Sequence, residues 1–467
     1  MHLTGPLAGA ALAALALSLA AAAPSAPSAP SAPSTPAAPS APSSSWLGLL
    51  PDGETKRRFI VDCTGCHQFD GRIAQRDGRM KTEAEFAEAV GRMLGFAGPE
   101  TSFPVISSAQ HPARTAAWLA AALEGGTPPD TTRAATTATA TTGAAVEEFL
   151  FPAPQDLPHD VAVDSAGRVV VTGMFTHQMY VLDPAAAEPA RRWRQVPIPV
   201  ERANPRAVEL DRQGRWWVVL GGPGKVARYD GREWATFDVG MYAHSVALDS
   251  AGGAWVNGHF TRDPEQLAQV TADGAVRTVD LPRHPALAAR PGGPIPYEIR
   301  TAPDGALWMS ELQGDRLVRH DPKTGRSEAF ALPTPHSAPR RFDVDAQGVL
   351  WIPAYGAGTL VRFDPAAPAG VGRGRRFEEI ALPVKDAAPY VARADARRGV
   401  VWIGTGAADA LFAYHPRTRR FETVTLPSRG ALVRHLALDP RSGDVWLAYG
   451  ESPGKLPSRI ARVRMPR

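Results

Sequence analysis

The stretch Pro303-Asp304-Gly305-Ala306-Leu307-Trp308-Met309 contains the pattern that decides the fold. Its features recur along the chain: a short hydrophobic strand, an Asp, a Gly, and a second strand centred on Trp or Val. A repeat of about 40 to 50 residues is typical of a β-propeller with four strands in each blade. The anchors that stand three residues after the Gly are Val170, Trp217, Trp255, Trp308, Trp351, Trp402 and Trp446.

Seven repeats fit residues 145–467 at a mean spacing of about 46 residues. We therefore predict an all-β seven-bladed propeller there; a pair of β-sandwiches is the alternative, but it does not explain a uniform spacing over seven units. The segment 146–151 resembles the outer strand at 421–426. We expect it to complete the last blade, whose own sequence stops at 460–465, because closure by both ends of the domain removes an exposed sheet edge.

The charge balance excludes a nucleic-acid partner. The chain has 51 Lys and Arg against 47 Asp and Glu, a net charge of +4, and these residues are scattered evenly. Proteins that bind nucleic acid concentrate basic residues in a patch, and this sequence has none.

The first 45 residues carry no acidic or basic side chain. The apolar run at 7–23 predicts a signal peptide over residues 1–23, and its uncleaved form would be a membrane tether. A disordered Ala-rich tail is the other interpretation. Residues 24–45 repeat Ser, Ala and Pro, which is typical of a semi-rigid linker. We therefore expect a periplasmic or secreted protein, either free or anchored to the membrane.

A second linker, rich in Thr and Ala, is predicted at 125–144, so the two linkers bracket a small domain at 46–124. This domain contains the run Cys63-Thr64-Gly65-Cys66-His67, the C-x-x-C-H pattern of c-type haem attachment. Two thiols one helical turn apart each bind a haem vinyl group, and the adjacent imidazole is the proximal iron ligand. A redox-active cysteine pair, a disulfide and half of a zinc site are the alternatives, but the chain has no second cysteine pair to complete a zinc site.

The sixth ligand of the haem iron is open among Met93, Met80 and His111. A capping box at Thr82 and Glu85 predicts a helix whose apolar face ends at Met93. The segment resembles small all-α cytochrome c domains, in which a helix ending in Arg-Met follows the haem motif and a last short helix, here at 112–123, completes the domain. This resemblance implies Met93 as the ligand and Met80 as the second choice. If Met93 only fills the core, the iron would be five-coordinate.

The run Ile295-Pro296-Tyr297-Glu298-Ile299, followed by residues 303–311, resembles a blade of the virginiamycin B lyase (streptogramin lyase) family. The resemblance covers the propeller. It implies elimination chemistry that opens a cyclic lactone, with a histidine as acid or base and carboxylates that hold magnesium. In this sequence the candidate catalytic groups are Tyr297, Glu298, Glu311 and His244. No blade has both the family's His and the Glu fourteen residues later; only Tyr297 is followed at that distance by a carboxylate, Glu311.

Two successive positions at the start of each inner strand are expected to surround the channel mouth. Because side chains alternate along a strand, only one set should face the channel at a given height. Polar groups here would suit proton transfer or anion binding, or would simply line a wet channel. The first set is His159, Arg206, His244, Tyr297, Arg340, Tyr390 and Arg434; the second is Asp160, Ala207, Ser245, Glu298, Arg341, Val391 and His435.

Three functions follow from these features. The first is electron transfer by a haem c domain, with a propeller that binds a redox partner protein or a small-molecule substrate at its mouth. The second is a lyase-like enzyme in the propeller, with magnesium as its cofactor. The third is a non-catalytic propeller that serves as a binding module.

Overall fold

A computed structural model describes residues 45–101, 104–107, 109–129, 143–259, 264–287, 293–451 and 456–465. The predicted signal peptide or tether at 1–23 and the linker up to residue 44 lie outside these ranges, as does most of the predicted linker at 125–144. No helix in the described ranges is both long and apolar enough to cross a bilayer.

The described residues between 45 and 129 form helices and one small hairpin. The sequence predicted helices alone, and the hairpin arises because Asp77 and Gly78 adopt φ values of +50° and +76°, as a two-residue turn of this kind requires. The elements are a 3₁₀ helix (Trp46–Leu49), α1 (Glu54–Cys63), α2 (Gly71–Ala74), β1 (Gln75–Arg76), β2 (Arg79–Met80), α3 (Glu83–Ala97) and α4 (Pro112–Leu123).

The predicted capping box at the start of α3 is confirmed. The Thr82 hydroxyl accepts a hydrogen bond from the Glu85 backbone N–H at 3.3 Å, and the Glu85 carboxylate accepts one from the Thr82 N–H at 2.8 Å. Two backbone donors without a helical partner are thereby satisfied. The cap fixes where the helix begins and so sets which side chains it turns inward, with Phe86 and Val90 both buried.

Seven four-stranded antiparallel sheets follow, one for each repeat. Blade 1 is β4 (Pro158–Val163), β5 (Val169–Gly173), β6 (Gln178–Leu182) and β7 (Trp193–Pro197); blade 2 is β8 (Pro205–Leu210), β9 (Trp216–Leu220), β10 (Lys225–Tyr229) and β11 (Trp234–Asp238); blade 3 is β12 (Ala243–Leu248), β13 (Ala254–Gly258), β14 (Gln266–Val270) and β15 (Val276–Asp280); blade 4 is β16 (Pro296–Thr301), β17 (Leu307–Glu311), β18 (Arg316–Asp321) and β19 (Arg326–Ala331). Blade 5 is β20 (Asp343–Val344), β21 (Leu350–Ala354), β22 (Thr359–Phe363) and β23 (Phe377–Ala381); blade 6 is β24 (Pro389–Asp395), β25 (Val400–Thr405), β26 (Ala410–His415) and β27 (Arg420–Thr425); blade 7 is β28 (Val433–Leu438), β29 (Val445–Tyr449), β30 (Arg459–Arg464) and β3 (Ala145–Leu150).

Blade 7 closes the ring as predicted from the sequence. Its outer strand β3 comes from the start of the propeller and pairs antiparallel with β30, so that Ala145 lies opposite Arg464 and Leu150 opposite Arg459. The seven-bladed all-β propeller is therefore confirmed. Because β3 comes from the opposite end of the domain, its backbone pairing ties the first and last blades together.

The repeated Asp, Gly and Trp build the turn between the first two strands of a blade. In blade 2 one oxygen of the Asp211 carboxylate accepts hydrogen bonds from two backbone N–H groups of the turn, at 3.0 and 2.9 Å. The other oxygen accepts one from the Trp217 indole N–H at 3.1 Å. Gly214 supplies a φ of +77°, which favours glycine. The same indole-to-carboxylate bond recurs at Trp351 and Trp402.

Each of the seven anchors packs against the following blade. Trp308 of blade 4, for example, shares a core cluster with Leu350 and Ile352 of blade 5. Around the closure, Trp446 of blade 7 contacts the cluster that contains Val161 of blade 1. The core is thus a ring of apolar layers between blades, which explains why one large residue recurs once in every repeat.

The helical segment packs on the propeller, and residues 40–467 form one compact unit. A single apolar cluster runs from α1 and α4 into blades 4 to 7. Two buried or half-buried ion pairs flank it: Lys56 lies 2.7 Å from Asp386, and Arg72 lies 2.5 Å from Glu451. The end of the ring that faces the helices is the mouth predicted from the strand starts.

Candidate functional site at the propeller mouth

The C-x-x-C-H run begins at the last residue of α1. Thr64 ends the helix, with its hydroxyl donating to the Ile60 carbonyl at 2.7 Å. Cys63 and Cys66 are not joined in a disulfide. Burial, and then the neighbouring Asp62, raise the pKa of the Cys63 thiol well above its usual value. A redox-active cysteine pair needs the opposite shift, so this environment does not favour that alternative.

An apolar cavity lies between α1, α3 and α4 and brings together three of the predicted haem residues, Cys63, His67 and Met93. The His67 Nδ1 atom lies 3.0 Å from the Gln68 carbonyl oxygen. A carbonyl can only accept, so Nδ1 carries the proton and Nε2 is left as a potential metal ligand. The other lining residues are Phe59, Phe69, Ile73, Phe86, Ala89, Val90, Leu94, Ile106, Gln110 and Leu119.

The other candidate ligands lie elsewhere. Met80 ends the small hairpin and packs on the apolar cluster shared with the propeller, whereas His111 precedes α4 and is exposed. Neither lines the apolar cavity. Cys66 lines a different cavity, at the propeller mouth.

The first of the two predicted sets of mouth residues lines this second cavity, which we call the mouth cavity. All seven members contribute: His159, Arg206, His244, Tyr297, Arg340, Tyr390 and Arg434. The second set is buried as well, although strict alternation would turn it away. The cause is a register shift near the start of the inner strand in six blades, as between Pro296 and Ile299. Such bulges place two successive side chains on the inside of the ring.

Members of the second set form a buried ionic network outside the lining of the mouth cavity. The Arg341 guanidinium is completely buried and lies 2.7 Å from the Asp160 carboxylate and 3.6 Å from that of Glu298. Arg300 lies 2.5 Å from Glu298. His435 completes the group, 3.6 Å from Asp160. The network links strands from blades 1, 4, 5 and 7 across the channel, which gives it a structural role.

Three histidine rings cluster on one side of the mouth cavity. His244 lies with its ring centre 4.3 Å from that of His259 and 5.2 Å from that of His159. Burial, followed by neighbouring cationic or histidine side chains, lowers the pKa of each well below the usual value, so the rings are neutral at pH 7. Sequence reasoning missed His259, which directly follows β13; its place after a strand that ends at the mouth was the available signal.

Arg340 lies in an aromatic box. Its guanidinium carbon is 4.0 Å from the ring centre of Tyr355, 4.5 Å from that of Tyr390 and 5.3 Å from that of Tyr297. The Tyr297 hydroxyl accepts a hydrogen bond from it at 3.0 Å and also contacts the Tyr390 hydroxyl. Burial raises the pKa of Tyr297, while Arg340 and Arg434 overcome the effect of burial and lower the pKa of Tyr390.

The loop at 64–67, which the sequence predicts to attach haem and which we call the attachment loop, covers this mouth. Arg434 donates hydrogen bonds to the carbonyl oxygens of Gly65 at 3.3 Å and Cys66 at 2.9 Å. The Tyr355 hydroxyl donates to the Thr64 carbonyl at 2.8 Å. A Cβ on Gly65 would lie 2.8 Å from the Arg340 guanidinium, so only glycine allows this close approach. Tyr355 and these loop contacts could not be read from the sequence, since they join residues 291 to 369 positions apart.

Only two of the four candidate catalytic residues of the predicted lyase lie together at the mouth. Tyr297 and His244 line the mouth cavity, whereas Glu298 belongs to the buried network. Glu311 pairs with Arg316 at 2.5 Å and does not line the cavity. Within the described residues, no group of three or more His, Cys, Asp or Glu is arranged to hold a metal ion. Carboxylates already paired with arginine are poor magnesium donors, so these residues do not fit that ion.

The comparisons with known proteins concern the propeller. A streptogramin B lyase structure is 20% identical, with a TM-score of 0.58 over 70% of this chain and 99% of that one. A catalytically inactive virginiamycin B lyase from Staphylococcus aureus with quinupristin is 17% identical, with a TM-score of 0.58 over 69% and 100%. YCF48 bound to D1 peptide is 12% identical, with a TM-score of 0.54 over 70% and 98%. No protein-family model and no curated protein matches the chain. At these identities the likeness shows the fold: this chain has the propeller fold of the streptogramin lyases.

Proposed function

We propose that this chain is an exported c-type haem protein, periplasmic or secreted, whose propeller holds a ligand or redox partner at the mouth beneath the haem-attachment loop. The observation that carries the proposal is the apolar cavity that Cys63, His67 and Met93 line together. Apart from Gln110 its other walls are apolar, as a porphyrin face requires, and its free volume of about 50 Å³ means that α3 and α4 must move apart for haem to enter. Covalently attached haem would supply one-electron transfer here.

The residues around the cavity have defined tasks in this proposal. The Gln68 carbonyl holds the His67 ring in the tautomer that presents Nε2, which orients a proximal ligand. Met93 offers a thioether from α3 on the same cavity. Phe59, Phe86 and the other apolar walls exclude water, which favours electron transfer over ligand exchange. Arg434 and Tyr355 bind the attachment loop and hold it on the propeller.

Loss of the two thiols should abolish haem attachment. We expect protein made in a cytochrome-maturing host to show reducible c-type absorption bands and a mass increased by one haem. The variant with Cys63→Ser and Cys66→Ser should show neither, since no thioether can form. Unmodified thiols in the wild-type protein by mass spectrometry would refute the proposal.

The axial methionine can be identified in the same preparation. Met93→Leu should remove the methionine-to-iron charge-transfer absorption of the oxidised protein and lower the reduction potential, because a thioether ligand raises it. Met80→Leu is the matched control and should leave both unchanged, since Met80 packs outside the cavity. The reverse pattern would assign Met80.

A lyase-like activity in the propeller is the second candidate, and the structural comparisons favour it, since they concern the propeller and do not bear on haem. His244 and Tyr297 would then be the acid or base groups at the mouth. The attachment loop covers that mouth, so a bulky cyclic depsipeptide could enter only if the helical segment moved away.

This candidate predicts that the Cys63→Ser, Cys66→Ser variant, which carries no haem, still opens a cyclic depsipeptide, with or without added magnesium. Tyr297→Phe in that background should then lower kcat by at least about a hundredfold, the usual contribution of a general acid or base. Arg191→Met, at a site far more exposed than the mouth, is the control. Chromatography of the substrate would measure turnover. No turnover by the folded protein would exclude the lyase.

A further inference from the structure

The mouth cavity carries an excess of buried positive charge. Its lining includes Arg206, Arg340 and Arg434 but only one carboxylate, that of Asp62. Asp62 accepts hydrogen bonds from Ser107, Gln110 and Gln313, so its oxygens already have partners other than the arginines. Among the described residues, no carboxylate lies within ion-pair distance of Arg340 or Arg434.

Of the three arginines, Arg340 is the one whose positive charge is least offset by neighbouring groups. The residue is 4% exposed, and its Nε atom is buried without a hydrogen-bond partner. Burial of an unpaired charge costs several kcal/mol, of which the three tyrosine rings recover a part. A guanidinium that lines a cavity and has no carboxylate partner is an arrangement that binds a carboxylate or another oxyanion.

His244 adds an acceptor to the same cavity. Its Nδ1 atom lies 2.7 Å from the Tyr297 carbonyl oxygen and therefore carries the proton, so Nε2 of the neutral ring can only accept. Both His244 and Arg340 flank the Tyr297 ring, at 4.3 and 5.3 Å from its centre. The cavity of about 70 Å³ exceeds the ~10–15 Å³ that one enclosed water needs, so it has room for a ligand of a few heavy atoms.

We propose that the mouth cavity binds a short hydroxycarboxylate, whose carboxylate pairs with Arg340 and whose hydroxyl donates to Nε2 of His244. This proposal names the class of ligand that binds at the mouth and so deepens the proposed function. It rests on that function only for the presence of haem beside the site. The arginine, the histidine and the tyrosine all belong to the propeller. Binding should therefore not depend on haem.

Calorimetric titration of the purified full chain with glycolate and with acetate, at constant ionic strength in chloride, tests the proposal. We expect glycolate to bind more tightly than acetate because acetate lacks the hydroxyl. Arg340→Met should weaken glycolate at least about tenfold, the usual effect of losing a charged hydrogen bond. His244→Phe should remove the preference for glycolate while acetate binding persists. Arg191→Met, at an exposed surface position, is the matched control and should bind as the wild type does.

Gly65→Ala is a second variant, which leaves the positive charge of Arg340 in place. Gly65 does not have a positive φ, but a Cβ there would press on the Arg340 guanidinium, so weaker glycolate binding is again expected. Equal binding by wild type and Arg340→Met, or no binding by either, would overturn the proposal. So would a phenolate absorbance at neutral pH that Tyr390→Phe removes, since Tyr390 would then already balance Arg340.

Haem loading is read separately, from the absorption spectrum. Wild-type chain made in a host without cytochrome maturation carries no attached haem and should still bind glycolate; failure to do so while the haem-loaded chain binds would contradict a site that does not depend on haem. A wild-type spectrum with c-type bands but no heat on titration would refute the ligand site alone. Glycolate binding without any c-type bands would refute the haem proposal alone.

Discussion

Replacement of Arg341 by methionine should lower the free energy of unfolding by about 3–5 kcal/mol. The side chain is completely buried and pairs with Asp160 and Glu298. Methionine fills much of the same space but leaves two carboxylates in the channel without their shared partner. Urea unfolding followed by tryptophan fluorescence would measure the loss, since every blade but the first has a Trp anchor.

The loss of unfolding free energy in Arg341→Met should depend on the carboxylate charge that remains buried without a partner. Adding Asp160→Asn to the Arg341→Met chain should restore part of the stability, because Asp160 is the carboxylate left without an arginine, whereas Glu298 keeps Arg300 at 2.5 Å. Arg319→Met is the control, since Arg319 pairs at the surface with Asp304 and should contribute less than about 1 kcal/mol. A double variant no more stable than Arg341→Met would show that the cost comes from packing.

The number of blades could be predicted because its determinants are local. Asp211, Gly214 and Trp217 make one turn and one anchor within seven residues, and the turn needs these residue types wherever it recurs. Local chemistry also marked the capping box of α3, which sets the helical register that brings Met93 to the same cavity as His67. The Asp77-Gly78 turn carried a local signal too, but the sequence prediction did not include it.

The arrangement at the mouth could be predicted only in part. The seven first-set residues do converge, as the repeat implied, and the second set lies outside the lining of the mouth cavity. The bulges that also bring Glu298 and His435 to the inside of the ring have no distinct sequence mark. The contact between the attachment loop and Tyr355 depends on how the helical segment packs on the ring. That packing joins residues distant in sequence, and no local pattern encodes it.

Acidification from pH 7.5 to 5.5 should strongly destabilise the propeller. His159, His244, His259 and His435 are buried, and burial, followed by nearby cationic or histidine side chains, lowers the pKa of each well below the usual value near 6.5. Below about pH 6.5 the histidines of the unfolded chain bind protons, whereas the buried histidines of the folded chain stay neutral. Stability is therefore lost as the pH falls, by up to about 1.4 kcal/mol per pH unit for each histidine and about 5 kcal/mol for all four.

Asp160 contacts His159 and Arg341 and lies near His435, and burial raises its pKa, an effect that opposes that of the histidines. A proton taken up by Asp160 in the folded state offsets one taken up by the unfolded chain. Urea unfolding at a series of pH values would give the slope, and His244→Gln should reduce it by close to one proton. His111→Gln, at an exposed position, should leave it unchanged. A stability that stays constant between pH 7.5 and 5.5 would mean that the four rings already carry protons in the folded protein, and the channel would then have to hold their charge beside Arg341.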